Sequence, residues 1–276
     1  MQWDRNYTSS DVDDRRSEGG AGLGGFGGGG GGGGGLFIIF QLFQWFGWKG
    51  LIVGLVIAGA VMGTGQCTHV AHNPARTNPS GPVQQTAGEQ EEVHFVSFVF
   101  DDVQKSWAKV LPEYRKARLV LFRNAIRSGC GVADTQVGPF YCQNDEHVYI
   151  DLAFYDELKS KLGAPGEFAQ AYVIAHEVGH HVQKIKGLFN KGTDSVTIEL
   201  QADCLAGAWA HDANARKIVD PGDIDQALNA ASQIGDDTLQ RKAGQRVRPD
   251  TFTHGTSAQR VASLRKGWDG GPQACM

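Results

Sequence analysis

A glycine run followed directly by an apolar segment is the feature that most limits how this chain can fold. Residues 18–37 have the sequence EGGAGLGGFGGGGGGGGGLF. Glycine has no side chain to bury and loses the most backbone entropy on folding, so such a run does not build a packed core. We therefore predict a disordered, glycine-rich tail over residues 1–35. A phosphate-binding loop would need a strand before the run and a helix beginning with Lys-Ser or Lys-Thr after it, and neither pattern flanks this run.

The segment that follows, residues 36–65, is predicted to be a transmembrane anchor. Its sequence is LFIIFQLFQWFGWKGLIVGLVIAGAVMGTG. From Trp45 onward it offers roughly 20 residues with a single charge, the length that crosses about 30 Å of hydrocarbon. A cleaved signal peptide fits poorly, because the apolar segment starts deep in the chain and no compact basic region directly precedes it. Arginines before the segment favour a single crossing with the N terminus in the cytoplasm.

Beyond the anchor, the sequence predicts a linker and then one folded domain. Residues 66–90 are rich in Pro, Thr, Asn and Gln and show no hydrophobic periodicity, which is typical of a linker. The domain is expected to cover residues 91–276. A net charge of −4 and an isoelectric point near 6.1 argue against a nucleic-acid partner, which requires a clustered basic surface.

The cysteines bear on the compartment of this domain. Cys130 and Cys142 bracket a short turn-rich stretch, and Cys204 and Cys275 could form a second pair, which leaves Cys67 at the membrane edge. Disulfides persist in oxidising compartments, so we expect the domain on the periplasmic side of the membrane. The alternative is a cytosolic protein with five reduced thiols.

Hydrophobic periodicity predicts an α+β fold for the domain. An amphipathic helix is expected within residues 93–111, followed by strand-like segments at ARLVLFR, GPFYC and HVYIDLAF. Helices are then expected around residues 152–162, 166–187, 194–216, 222–235 and 257–268. A few strands followed by a run of helices is typical of α+β domains.

The stretch VIAHEVGHHVQ, residues 173–183, indicates a metal site. His176 and His180 are four residues apart, so their rings project from one face of a helix and can both reach a zinc ion at about 2.0–2.1 Å. Glu177 follows the first histidine, where a glutamate can take a proton from water in a His-Glu-x-x-His site. Gly179 lowers helix propensity, which hints at close packing over the site.

A third ligand is expected from a second helix. Gln183 and Lys186 stand where a metzincin would have glycine and histidine, so that class is excluded. In IELQADCLAGAWA, Glu199 and Asp203 share one helix face amid apolar neighbours. One carboxylate can complete a His₂Glu site while the other accepts a hydrogen bond from a ligand histidine. The alternative is an ordinary solvated helix face.

These stretches, together with CGVADTQVGPFYC, VYIDLAFYDEL and FTHGTSAQRVASLRKGWDGG, resemble the bacterial family of neutral zinc metallopeptidases, which are membrane-anchored and of the gluzincin type. The resemblance covers about residues 91–275. It implies a zincin-like fold with the histidine motif on a central helix. It assigns Zn²⁺ to His176, His180 and Glu199 and catalysis to Glu177, and Asp203 is then the carboxylate that orients a ligand histidine. A peptide or protein substrate is implied, but not its identity.

Three further residues have open roles. His254, in FTHGTSAQR, could donate a hydrogen bond to the developing oxyanion, or it could cap or pack under the last helix. His181 points roughly 100° away from His180 on the helix, which favours a packing role or a contact behind the metal ligands. Arg260 is expected to be a structural ion-pair partner rather than a substrate clamp.

Together these features predict a membrane-anchored zinc metallopeptidase. Zinc held by two histidines and a glutamate keeps a position for water, and Glu177 accepts the proton of that water as it attacks the peptide carbonyl. The alternative is a zinc-stabilised binding module without activity. A closed structural site needs four protein ligands and no glutamate beside the first histidine, so Glu177 favours the enzyme.

Overall fold

The computed structural model describes residues 1–18, 86–134, 137–189 and 192–276. The strands in these ranges are β1 (Val12–Asp14), β2 (Arg118–Phe122), β3 (Ala125–Ser128), β4 (Gly131–Asp134), β5 (Phe140–Cys142) and β6 (His147–Asp151). The helices are α1 (Ala87–Val110), α2 (Ala153–Ser160), α3 (Glu167–Ile185), α4 (Ser195–Ala215), α5 (Asp223–Gln233), α6 (Asp236–Lys242) and α7 (Ser257–Gly270). This mixture of small sheets and helices confirms the predicted α+β class.

The main sheet has the strand order β1-β2-β6-β5. β1, β2 and β6 are parallel to their neighbours, whereas β5 is antiparallel to β6 and forms one edge. Four of the five residues of β2 and of β6 are buried, as expected for parallel strands covered on both faces. β3 and β4 form a separate antiparallel hairpin.

Helix α3 is the most enclosed of the helices, since 15 of its residues are buried from Phe168 to Gln183. It packs closely on α4 at Gly179, where an added Cβ would lie 3.1 Å from the carbonyl oxygen of Ala202. This confirms the close packing that Gly179 indicated. α4 in turn crosses α7 at a second close approach, because a Cβ at Gly267 would overlap the carbonyl oxygen of Cys204. Only glycine fits at Gly267 without a shift of the backbone, and at Gly179 a larger residue would push the two helices slightly apart.

Both predicted cysteine pairs form disulfides. Cys130 at the turn of the β3–β4 hairpin is joined to Cys142 in β5, with Cα atoms 5.7 Å apart. Cys204 in α4 is joined to Cys275 near the C terminus, with Cα atoms 5.6 Å apart. Each bridge therefore fastens a short peripheral segment to an element of the core.

The predicted tail of residues 1–35 is corrected for its first 18 residues, which pack on the domain. β1 pairs with β2 in register Val12–Leu119, and the hydroxyls of Tyr7 and Ser9 each donate to Asp101 of α1 at 2.8 Å. These contacts satisfy the polar backbone and side chains that a disordered tail would leave to water.

The predicted linker of residues 66–90 is also corrected at its end. α1 begins at Ala87, and Thr86 caps it in a reciprocal arrangement with Glu89. The side chain of Thr86 accepts from the main-chain N–H of Glu89, while the Glu89 carboxylate accepts from the main-chain N–H of Thr86. Residues 86–90 therefore belong to the first helix of the domain rather than to the linker.

The predicted anchor of residues 36–65 and Cys67 lie outside the described residues. Within the ranges that the structure describes, no helix combines the length and apolar character needed to cross a membrane. A single crossing within residues 36–65 would put residues 1–18 and 86–276 on opposite sides of a membrane. Pairing of β1 with β2 requires both parts to lie on one side, so the expected single-pass topology and this packing exclude each other.

We predict that residues 1–18 and the domain are equally accessible to a membrane-impermeant thiol reagent. In a Cys67→Ser background the other four cysteines are held in disulfides, so Ser10→Cys and Ser160→Cys each place one unpaired cysteine at an exposed position, the first in residues 1–18 and the second in the domain. Maleimide labelling of intact and lysed cells, read by mass spectrometry, should give the same pattern for both variants. Labelling of one variant in intact cells and of the other only after lysis would contradict the docked N-terminal segment.

Candidate metal centre

Two adjacent helices bring three potential ligand atoms together. His176 and His180 lie on α3, and Glu199 lies on α4. The Nε2 atom of His176 is 3.1 Å from Oε2 of Glu199, and Nε2 of His180 is 3.4 Å from Oε1. One ligand atom from each of the three residues lies within 4.8 Å of the others. The predicted ligands are therefore assembled in one place.

These distances suit a zinc ion. With bonds of about 2.0–2.1 Å, the ligand atoms of a tetrahedral zinc lie roughly 3.3 Å from one another. The two histidine-to-carboxylate distances are close to this value, and two imidazoles with one carboxylate are a donor set that zinc accepts. Among the described residues the group has three members, as in catalytic zinc sites that keep a position for water.

A second partner orients each histidine. Nδ1 of His176 lies 2.8 Å from Oδ1 of Asp203, and Nδ1 of His180 lies 2.8 Å from Oε1 of Gln183. When Nδ1 donates to an oxygen, Nε2 is left with a lone pair for a metal. The structure thus brings Asp203 to a ligand histidine, as the sequence predicted, and adds Gln183, whose role the sequence did not indicate.

Asp203 is enclosed completely and has four donors around it. Its carboxylate accepts from the hydroxyl of Tyr172 at 2.6 Å, from His176, and from two guanidinium nitrogens of Arg260, each at 2.9 Å. Arg260 is itself only 3% exposed. Arg260 is therefore the ion-pair partner that the sequence analysis expected, and it neutralises a charge that could not otherwise remain buried.

The electrostatic surroundings of Asp203 and His176 favour the charged form of both side chains. Burial raises the pKa of Asp203, but Arg260 and His176 outweigh it and bring that pKa to about 2. Burial lowers the pKa of His176, but the Asp203 and Glu199 carboxylates outweigh it and raise that pKa to about 10. A metal that binds Nε2 of His176 must therefore compete with a proton.

Glu177 lies on α3 directly after His176, one of the three candidate ligands, and is 7% exposed. The sequence separation from His176 and His180 puts its carboxylate beside the ligand face rather than within it. This is the position that the predicted base requires.

His254 lies in the loop between α6 and α7. Its Nδ1 is 3.2 Å from Oδ1 of Asp236, and its main-chain N–H donates to Oδ2 at 2.7 Å. The next residue, Gly255, packs against the face of α4 that flanks Glu199, since a Cβ there would contact Val196 at 3.1 Å. Thr256 rather than His254 caps α7, so the capping alternative is wrong.

His181 connects α3 to its surroundings. Nε2 lies 2.7 Å from the carbonyl oxygen of Arg115, and Nδ1 lies 2.9 Å from the hydroxyl of Tyr141 on β5. Burial lowers the pKa of His181. The ring is therefore a neutral bridge that donates from Nε2 to the carbonyl and accepts from Tyr141, and it fixes the edge strand β5 beside α3.

Comparison with known proteins places this chain in a family. The model of the family described as "Putative neutral zinc metallopeptidase" matches residues 1–276. The chain is 40% identical to the uncharacterised protein YpfJ of Escherichia coli K12, covering 99% of this chain and 97% of that protein. It is 38% identical to the uncharacterised protein Rv2575 of Mycobacterium tuberculosis, covering 63% of this chain and 67% of that protein. No solved structure matches the chain.

Asp203 and Glu199 have different surroundings, so we predict that replacing Asp203 mainly lowers thermal stability and that replacing Glu199 mainly lowers zinc affinity. Asp203→Asn removes the counter-charge of buried Arg260, so it should lower thermal stability more than Glu199→Gln does. Glu199→Gln removes a charged ligand, so it should weaken zinc binding more than the roughly 10- to 100-fold expected for Asp203→Asn. Thermal unfolding by circular dichroism and chelator competition measure the two quantities. If one variant had both the lower thermal stability and the lower zinc affinity, the same carboxylate would be responsible for fold stability and for metal binding, which would contradict this division.

Zinc binding should release protons at neutral pH. Because the pKa of His176 is raised to about 10, both nitrogens of its ring are protonated between pH 7 and pH 9. Zinc must displace the proton on Nε2 in order to bind there. Apparent zinc affinity should therefore rise at least about tenfold per pH unit in that range. Calorimetry in buffers of different ionisation enthalpy should detect about one proton or more released per zinc. Binding without proton release would show that His176 enters the complex uncharged.

Proposed function

We propose that this chain, which belongs to the neutral zinc metallopeptidase family, hydrolyses peptide bonds with the help of a bound zinc ion. Membership of the family implies Zn²⁺ as the cofactor. The observation that carries the proposal is the cluster of His176, His180 and Glu199, with Glu177 placed next to it on the same helix. A site with three protein ligands and an adjacent carboxylate suits hydrolysis better than a purely structural role.

Bound zinc would supply Lewis-acid polarisation of the substrate carbonyl and would make water more acidic. The protein supplies the proton transfers. Glu177 accepts a proton from the attacking water and passes it to the nitrogen of the leaving amine. Its low exposure of 7% limits competition from bulk water.

We propose His254 as the donor to the oxyanion that develops on the substrate carbonyl. Asp236 holds the loop that carries His254 in place by accepting hydrogen bonds from the main-chain N–H groups of Thr253, His254 and Gly255. Packing of this loop on α4 next to Glu199 supports the assignment.

An extended peptide would bind along β5. This strand is an edge of the main sheet, and Tyr141 attaches it to α3 through His181, next to the ligand His180. Edge strands bind extended peptides through main-chain hydrogen bonds, which are independent of sequence. The substrate class is therefore an unfolded or extended polypeptide segment.

We also propose that residues 36–65 attach the protein to a membrane. Their hydropathy supports attachment, and the two disulfides support a location outside the cytoplasm. Because β1 pairs with β2, residues 1–18 and the domain must lie on the same side of the membrane. Attachment is therefore compatible with this fold when residues 36–65 enter and leave the membrane on that one side.

Glu177→Gln should retain zinc and lose peptidase activity by several orders of magnitude, because the change removes the base and leaves the ligands intact. The measurement is cleavage of unfolded casein and of a fluorogenic peptide library by zinc-loaded protein, with elemental analysis of each variant. Glu157→Gln, an exposed carboxylate on α2, is the matched control and should behave like wild type.

Two outcomes would contradict the proposal. Equal cleavage by wild type and Glu177→Gln would point to a different base or a contaminating protease. Wild-type protein with one zinc and no activity on any peptide would favour the zinc-stabilised binding module instead.

A further inference from the structure

The two ligand histidines are oriented by different kinds of partner. His176 donates to the charged carboxylate of Asp203, whereas His180 faces the neutral amide oxygen of Gln183 at 2.8 Å. Gln183 lies one turn after His180 on α3, and its side chain has no exposure to solvent. The orientation of this amide therefore decides which nitrogen of His180 carries a proton.

The other contacts of Gln183 determine which way its side-chain amide points. Its Nε2 lies 2.7 Å from the main-chain carbonyl oxygen of Ile198, which can only accept a hydrogen bond. The amide nitrogen must therefore face Ile198, and the amide oxygen must face His180. A reversed amide would set two acceptor oxygens against each other in a buried site. His180 is thus required to donate from Nδ1, which leaves Nε2 for the metal.

A second amide extends this arrangement to the C terminus of the chain. The Nε2 of Gln183 also donates to Oε1 of Gln201 at 3.0 Å, and Nε2 of Gln201 donates to the carbonyl oxygen of Cys275 at 3.1 Å. The Cys275 carbonyl fixes the polarity of Gln201 in the same way as the Ile198 carbonyl fixes that of Gln183. Cys275 is itself held to α4 by its disulfide with Cys204.

We propose that Gln183 and Gln201, ending on the disulfide-bonded C-terminal segment, form an amide relay that fixes the tautomer of His180. Both glutamines are positioning residues, since neither touches metal or substrate. The relay makes the last residues of the chain part of the metal centre. It rests on the assignment of His180 as a zinc ligand.

The test uses Gln183→Met, Gln201→Met and the double variant in the full chain. Methionine keeps the length of the side chain and removes both the donor and the acceptor. Gln233→Met is the matched control, because Gln233, like Gln201, is a partly buried amide with side-chain hydrogen bonds, and it lies on α5 outside the relay. Zinc affinity is measured by chelator competition, and the tautomer of His180 by long-range ¹⁵N–¹H spectra of the histidine rings.

Gln183→Met should lower zinc affinity roughly 10- to 100-fold, with a smaller loss for Gln201→Met and none for the control. Because Gln201 acts only through Gln183, the double variant should be no worse than Gln183→Met alone. The ring spectrum of His180 should lose its single Nδ1–H form in Gln183→Met. A general packing defect would instead give additive losses and an unchanged His180 spectrum.

The relay and the proposed function fail in different ways. Wild-type affinity together with a wild-type His180 spectrum in Gln183→Met would overturn the relay and leave the zinc centre intact. Additive losses in the double variant would do the same. Wild-type protein that binds no zinc would overturn the metal centre and the relay with it. Gln201, which is only partly buried, keeps the test decisive if Gln183→Met does not fold.

Discussion

The buried carboxylate of Asp203 is the interaction on which the rest of this structure depends. A charge enclosed this completely is tolerated only when it is paired and fully hydrogen-bonded. Asp203 lies on α4, and its partners come from two other helices, namely Tyr172 and His176 of α3 and Arg260 of α7. The same contacts that stabilise the carboxylate also hold a metal-ligand ring in one orientation. Fold stability and metal binding therefore share one set of contacts.

Close helix packing makes this geometry possible. At Gly179 the absence of a side chain lets α3 approach α4, so that both ligand histidines meet Glu199. At Gly267 the same device lets α7 approach α4 beside Cys204, which brings Arg260 to Asp203. The disulfide of Cys204 with Cys275 then fixes the C-terminal segment behind His180. The outer contacts of the centre thus come from chain positions far from the histidine motif.

Residues with a local signature could be predicted from the sequence. The spacing of His176 and His180 is a helical repeat, and the buried strands β2 and β6 are short apolar runs. β1 escaped prediction because it has only three residues in a polar stretch and pairs with a strand more than a hundred residues further along the chain, as in Val12 with Leu119. Gln183, Gln201 and Asp236 escaped for another reason. Amides and carboxylates of this kind are common on helix faces, and only tertiary packing gives them a partner.

The most direct test of the metal centre is a crystal structure of the zinc-loaded protein with anomalous data collected on both sides of the zinc edge. The account predicts a single anomalous peak about 2.0–2.1 Å from Nε2 of His176, from Nε2 of His180 and from a carboxylate oxygen of Glu199. Nδ1 of each ring should remain hydrogen-bonded to Asp203 and to Gln183. A peak bound through Nδ1, or one coordinated without Glu199, would contradict the account.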